Sequence, residues 1–546
     1  MSIKAVYLAG IAGLMMIPFL SCQGDDPYTP NVPGLDNTTI IRTIVPEPFN
    51  MGEKVMPWEV SKFSANNYGN WHYGQGAPYA VRLDLMPSGY THSTHNKKST
   101  LLRFFTLTDV HLTDKESPAQ SIYYSILFKK EESFPGTISC YSPAMLYSTH
   151  VLNASVQTIN KLNSQNAFDF GISLGDMGNS SMYNETRWFI DILDGKNINP
   201  DSGAKDDPVA GPGNDYQDTY QAEGLSKSIP WYATVGNHDH FFMGSQPFND
   251  KVINNLPGEE ILKLGNIFVD PKALDANTFS MGTLDGRTVY GDIIDTGIVA
   301  LMTSIPTIPS DPNRHMLTKD QMMKEFLTST SNPSGHGFNQ PDFFDGCYTF
   351  EPKASLPLKV IVLDDTMDET DYSTDPRKMG GYGCGTLAHG RFEWLVKQLQ
   401  DGQKEDKLMI IAAHVPIGVE NDSSAIGWSD PQAQKDILNE LQKYPNFILW
   451  IAGHRHLDSV TAFPSTVIEQ PENGFWEVET RSLREFPQQF RTFDIKWNGD
   501  NTISIFATDV DPIVENNAMA ARSRSLAIAA YQTYGRTDSI SATNVE

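Results

Sequence analysis

Cysteine is scarce, with 4 among 546 residues. Cys22, Cys140, Cys347 and Cys384 form no CxxC pair, which argues against a thiolate metal site. Positive charge is short too: 41 Lys and Arg stand against 66 Asp and Glu, a formal net charge of -25. A field of that sign repels DNA and RNA at long range, so no nucleic-acid partner is expected. A small phosphate ester is not excluded, because a cationic metal site dominates its own neighbourhood. The chain lacks internal repeats, and its 41 glycines and 34 prolines are scattered, as in loops rather than a low-complexity tract. A hydrophobic content of 40% with 20% charged residues fits a large globular core.

A comfortable membrane span is also missing. The apolar run Ala5–Leu20 follows Lys4 and stops abruptly, as a targeting segment does. Its end, Phe19-Leu20-Ser21-Cys22, resembles a bacterial lipobox. That resemblance makes residues 1–21 a signal peptide and Cys22 the lipidated first residue of a secreted lipoprotein. Gln23-Gly24-Asp25-Asp26 resembles an acidic surface-export tag, so the expected place is the outer membrane, facing the periplasm or the cell surface. Three cysteines then remain, and Cys347–Cys384 is the expected disulfide because both lie in one segment. Residues 22–50 read as a tether and 51–100, aromatic and Gly-rich, as an extension wrapping the core.

From residue 101 short apolar runs recur: Leu102–Thr108, Phe168–Leu174, Trp231–Val235, Lys359–Leu363, Leu408–Ala413 and Phe447–Ala452. Each has the length of a strand, and several are apolar on both faces. Leu152, Val156, Ile159 and Leu162 recur at helical spacing, as do Phe392, Leu395, Val396 and Leu399. Asp430-Pro431 is a helix start. The alternation predicts an α/β fold with helices outside. Residues 241–355 read as a long insertion. Phe475–Glu479 and Phe493–Trp497 read as antiparallel strands closing the sheet, and 511–546 as a C-terminal tail with a helix near 515–530.

Almost every strand runs into metal-ligand residues. In order these are Asp109-Val110-His111, Gly175-Asp176, Gly236-Asn237-His238-Asp239, His414 and Gly453-His454-Arg455-His456. In an extended chain residues i and i+2 point to one side, so Asp109 and His111 can reach one ion together. Glycine before Asp176, Asn237 and His454 permits a sharp turn and close backbone approach. Imidazole, carboxylate and amide donors suit Mn, Fe, Zn, Co or Ni.

These five blocks, in this order, resemble the calcineurin-like metallophosphoesterase superfamily. The resemblance spans residues 109–456 within a domain of about 101–510. It implies a four-layer fold, two mixed β-sheets packed face to face and flanked by helices. It also implies a phosphoric ester hydrolase with two divalent transition-metal ions. Asp109, His111 and His456 would bind the first ion, Asn237, His414 and His454 the second, and Asp176 both. A metal-bridging hydroxide would attack phosphorus, with His238 assisting the leaving group and Asp239 orienting His238. Three residues after the bridging Asp stands Asn179, where the purple acid phosphatases have a ligand Tyr, so tyrosinate ligation is not expected. Gly236–Gly244 (GNHDHFFMG) is similar to a bacterial lipoprotein branch of the superfamily.

The ligand order also matches the cyclic-nucleotide phosphodiesterase branch, which favours a phosphodiesterase. A phosphomonoesterase scavenging phosphate outside the cytoplasm and a non-catalytic binding protein keeping the fold are the alternatives. His240 lies near enough to His238 to face a substrate. Asp364 and Asp365 read as a structural pair, Arg455 as pointing away from the ligands, and His72, His92, His95, His150, His315, His336 and His389 as surface or packing histidines.

Overall fold

The computed structural model describes residues 38–52, 55, 59–90, 99–118, 142–203, 208–245, 250–260, four two-residue strands between 279 and 298, 307–368, 383–418, 427–533 and 542–546. Cys22, Cys140, His92, His95 and the expected signal peptide lie outside them. In chain order the principal strands are β1 (Arg42–Pro46), β2 (Trp71–Gln75), β3 (Ser99–Leu107), β4 (Phe170–Ser173), β5 (Trp231–Ala233) and β6 (Tyr348–Phe350). There follow β7 (Leu358–Val362), β8 (Leu408–Ala412), β9 (Phe447–Ala452), β10 (Val460–Phe463), β11 (Phe475–Glu479), β12 (Phe490–Trp497) and β13 (Ile503–Val510). The longer helices are α1 (Ser148–Gln165), α2 (Tyr183–Asp194), α3 (Lys319–Phe326), α4 (Arg391–Lys404), α5 (Pro431–Leu441) and α6 (Ala518–Thr533).

Two mixed sheets result. The first runs β13-β12-β3-β4-β5 and the second β6-β7-β8-β9-β11-β10. β3, β4 and β5 are mutually parallel, as are β7, β8, β9 and β11, and antiparallel strands close the edges. Burial on both faces is why these runs are apolar throughout; every residue of Leu358–Val362 is buried. Phe104, Phe170 and Phe493 of the first sheet share one core cluster with Val360, Ile410 and Leu449 of the second. The ring of Phe350 stacks on Tyr232 at 3.6 Å across the seam. α1 and α2 cover the outer face of the first sheet, with Leu152, Ile159 and Phe189 buried there. α4 and α5 cover that of the second, with Leu395, Leu399, Ile437 and Leu441. This is the expected four-layer α/β arrangement. Asp430 caps α5 by accepting from the N–H groups of Gln432 and Ala433.

Some expectations change. Phe475–Glu479 is not a wholly antiparallel strand: β11 runs parallel to β9 and antiparallel only to β10. The anticipated tether ends sooner, because Arg42–Pro46 pairs with Trp71–Gln75. Much of the anticipated insertion is core. Met322, Met323, Phe326 and Phe338 pack against the first sheet, and Tyr348–Phe350 is an edge strand of the second. No disulfide joins Cys347 to Cys384; Cys347 is packed with Ile361 and Leu363, whereas Cys384 packs with Phe241 and Met367. Lying in one segment did not bring them together, since Cys347 follows an edge turn and Cys384 lies beyond β7. Residues of the 51–100 extension, Val60, Phe63 and Tyr68, bury against Leu526 and Ile528 of α6. Among the described residues no helix is long and apolar enough to cross a membrane.

Candidate metal centre

The carboxyl ends of β3, β4, β5, β8 and β9 converge on one edge of the sandwich. There the loops after β3 and β4 stay zipped: Asp109 N–H donates to Gly175 O at 3.1 Å and His111 N–H to Asp176 O at 3.0 Å. The chain is not extended at this point. Asp109, His111, Asp176, His454 and His456 have φ of 49°, 46°, 53°, 68° and 56°. Left-handed backbone is uncommon outside glycine and costs of order 1 kcal/mol or more per residue. Five such residues at one place turn their side chains inward, which corrects the extended-chain account of Asp109 and His111. Glycine serves close approach at all three expected positions, and a Cβ on Gly175 would overlap Gly236. A Cβ on Gly236 would overlap Asp176, and one on Gly453 would overlap Thr108 and Asp109.

All seven expected ligand residues come together, in two neighbouring groups. Asp109, His111 and His456 offer ligand atoms within 4.8 Å of one another, and so do Asp176, His414 and His454. In the first group His456 Nε2 stands 3.2 Å from Asp109 Oδ1 and 3.1 Å from His111 Nε2. In the second, His414 Nε2 stands 2.8 Å from Asn237 Oδ1, 3.4 Å from Asp176 Oδ2 and 3.2 Å from His454 Nδ1. His111 Nε2 lies 3.6 Å from Asp176 Oδ2 and joins the groups.

The outer hydrogen bonds fix which atoms face inward. His414 Nδ1–H donates to Leu174 O at 2.7 Å, leaving its Nε2 lone pair toward Asp176. The imidazole of His456 donates from Nδ1 to the Glu485 carboxylate, leaving Nε2 likewise. Asn237 Nδ2 donates to Gly244 O at 2.8 Å, so its Oδ1 faces in. Asp109 Oδ2 accepts from Thr108 Oγ1 and from His454 N–H, while Oδ1 is buried without a hydrogen-bond partner. With these imidazoles neutral, as metal ligands are, acceptors face acceptors in a buried space. Burial disfavours charge on His414 and His456, but Asp176 beside the first and Asp109 and Glu485 beside the second raise both pKa values to about 10. Burial and the neighbouring His414 push His454 down to about 3.

These residues fit metal ions. Ligand bonds of about 2.0–2.2 Å set edges of about 2.9–3.6 Å between donor atoms, which matches the separations here. A cation between the lone pairs would give the orphaned Asp109 Oδ1 a partner. The set has no sulfur, so it suits borderline transition metals.

The other expected residues fall differently. His238 Nδ1–H donates to Asn179 O at 2.7 Å, which turns Nε2 toward His111 and Asp176. Burial lowers its pKa, with Asp176 opposing. Asp239 does not orient this ring, contrary to expectation. Its carboxylate accepts from the N–H groups of Gly236, Asp176 and Met177 at 2.8–2.9 Å and so clamps the β4 and β5 loops together. Burial raises its pKa to about 7. His240 is turned from the centre and meets Thr366 Oγ1 at 2.8 Å. Asp364 is paired with Lys319 and Arg391, and Asp365 accepts from the N–H groups of His414 and Val415. Arg455 points away and forks onto Glu479.

No protein-family model matches the chain, and no curated protein does. Among solved structures it is similar to a dimetal phosphatase from Danio rerio, at 12% identity and a TM-score of 0.38 over 76% of this chain and 98% of that one. It is also similar to a protein described as a 5'-nucleotidase from Staphylococcus aureus, at 12% identity and a TM-score of 0.30 over 78% of this chain and 58% of that one. At these scores neither likeness bears on the chemistry, and fold and site are read from the chain's own geometry. In its ordered blocks and its layers the chain resembles the calcineurin-like metallophosphoesterases. Sequence reasoning missed Glu485, Arg484 and Ser482, whose side chains meet His456, Asn179 and the Asp109 carbonyl. They follow the last recognisable block without a motif of their own.

Proposed function

We propose that the protein is a metal-dependent hydrolase of phosphate esters, with two divalent transition-metal ions of the Mn, Fe, Zn, Co or Ni class. The observation that carries this reading is the pair of donor groups, Asp109-His111-His456 and Asp176-His414-His454, joined where His111 Nε2 stands 3.6 Å from Asp176 Oδ2. Asp109, His111 and His456 would hold one ion, Asn237, His414 and His454 the other, and Asp176 both. Bound there, the ions would supply positive charge for the phosphoryl oxygens and acidify the attacking water. The chain's own part is positioning and proton transfer. With Nδ1–H committed to the Asn179 carbonyl, His238 can carry a second proton only on Nε2, beside the cluster. That proton makes the ring cationic. His238 then donates to the leaving oxygen and offsets the charge that develops on it.

The preferred substrate is a phosphodiester, on the order of the ligands in the chain. Anchorage through a lipid on Cys22, outside the cytoplasm, belongs to the same proposal. The test is hydrolysis of an aryl phosphate monoester against a bis-aryl diester by residues 27–546 with added Mn. Diester turnover that disappears in Asp176→Asn supports the proposal; faster monoester turnover moves it to a phosphomonoesterase. No hydrolysis with any metal tried leaves a binding protein that keeps the fold.

A further inference from the structure

The loop from Thr480 to Gln489 leaves β11 and crosses beneath the centre before β12 begins. Three side-chain contacts join it to the ligand loops. Ser482 Oγ donates to the Asp109 carbonyl at 2.7 Å. Arg484 Nη1 donates to Asn179 Oδ1 at 2.7 Å, and the carbonyl of the same asparagine holds the His238 ring at 2.7 Å. Glu485 accepts from Nδ1 of His456. Arg484 is 3% exposed, so its charge is spent inside the protein rather than in solvent. A buried guanidinium beside a half-buried carboxylate is costly unless each has a defined partner. Here the partners are His456 itself and Asn179, whose carbonyl holds His238.

We propose that Arg484 and Glu485 are positioning residues that set both imidazoles from one loop, Glu485 fixing His456 as a metal ligand and Arg484 fixing His238 through Asn179. The inference rests on the phosphoesterase reading. A carboxylate on the outer nitrogen fixes the tautomer of a ligand imidazole and makes its inner nitrogen a better donor; loss of such a partner typically weakens metal binding about 10- to 100-fold. Arg484 acts on a different atom. By holding the Asn179 side chain it holds the carbonyl that aims His238 Nε2, so its removal should slow proton delivery and leave metal binding alone.

The experiment titrates Co(II) into metal-free wild type, Glu485→Gln and Arg484→Gln, following visible absorption, and then compares hydrolysis of aryl esters with good and poor leaving groups. Gln keeps an acceptor oxygen at 485 and is close in shape, and circular dichroism checks that each variant folds. Glu485→Asp is the second variant at that position: with the charge restored, it should bind more tightly than Glu485→Gln. The expected result is one Co(II) about 10-fold or more weaker in Glu485→Gln, unchanged Co(II) binding in Arg484→Gln, and a loss of turnover in Arg484→Gln that grows as the leaving group worsens. Two ions bound by Glu485→Gln with wild-type affinity, or an Arg484→Gln loss independent of leaving group, would overturn the proposal. Wild type that takes up no Co(II) would instead overturn the phosphoesterase reading on which it rests.

Discussion

Asp176 and Asp364 are both fully buried carboxylates just past the ends of parallel strands, yet their surroundings differ. Asp364 Oδ2 is 3.0 Å from Lys319 Nζ and 3.2 Å from Arg391 Nη1. Lys319 also reaches Asp345 and Asp368, at 2.8 and 3.1 Å. Burial works against both charges, but each holds the other ionised, with the Asp364 pKa well below and the Lys319 pKa above the ordinary value. That cluster carries its own cations. Asp176 instead accepts the His238 backbone N–H on Oδ1 and turns Oδ2 toward the imidazoles of His111 and His414, at 3.6 and 3.4 Å. The first arrangement has permanent cations; the second has only imidazoles, which supply positive charge by taking a proton or by binding a metal ion. Buried charge alone therefore does not mark a metal site, whereas buried acceptors without donors do.

The contrast can be broken from either side. The largest effect is expected at the centre. Asp176→Asn removes the charge shared by both groups, so bound metal and hydrolysis should fall to background, as read by elemental analysis and the aryl ester assay. Chelation of wild type should also lower its thermal midpoint, because a ligand at 100 times its Kd stabilises by about 2.7 kcal/mol. At the other cluster, Lys319→Met removes the cation that three carboxylates share and leaves Arg391 beside Asp364 and Asp345. It should cost about 3–5 kcal/mol in urea unfolding while leaving metal content unchanged. Loss of metal with Lys319→Met would erase the distinction. A smaller effect is expected for Gly453→Ala, whose Cβ collides with Thr108 and Asp109. About 1–3 kcal/mol of destabilisation should appear, accompanied by weaker metal binding.

The smallest effect concerns a histidine outside both clusters. His336 bonds Trp231 O through Nδ1 and Ser329 Oγ through Nε2, and stacks on Trp231 at 3.6 Å. Burial lowers its pKa to about 4, against about 6.5 unfolded. Its contribution to stability is therefore full above pH 6.5 and is lost as pH falls toward 4, at up to about 1.4 kcal/mol per pH unit. Glu185, raised by burial to about 8, acts with the opposite sign. The measurement is thus a difference: urea unfolding of wild type minus His336→Asn, which should shrink as pH falls from 7 to 4.5. A difference that does not change with pH would remove His336 from the account.

Much of this architecture was legible in the chain. The runs at 102–108, 168–174, 231–235, 359–363, 408–413 and 447–452 all fall on strands, because burial on both faces leaves an unbroken apolar signature. The ligand blocks were legible because each follows a strand directly. Other features had no local signal. Tyr348–Phe350 is too short to separate from the loops around it, and whether β11 runs parallel or antiparallel depends on a partner far away in sequence. The left-handed turns at Asp109 and His111 are imposed by tertiary contacts, since neither residue type demands them. Asp239 was assigned to His238 by adjacency, but three backbone N–H groups claim its oxygens first. Glu485 reaches His456 across 29 positions, a distance no motif spans.

On the proposed function, metal ions rather than protons fill the centre. The direct measurement is metal stoichiometry of the purified protein and of Asp176→Asn, by elemental analysis after dialysis against Mn, Co or Zn. Two ions per chain in wild type, lost in Asp176→Asn, is the predicted result. No bound metal in wild type under any of these conditions, with the protein folded, would contradict it.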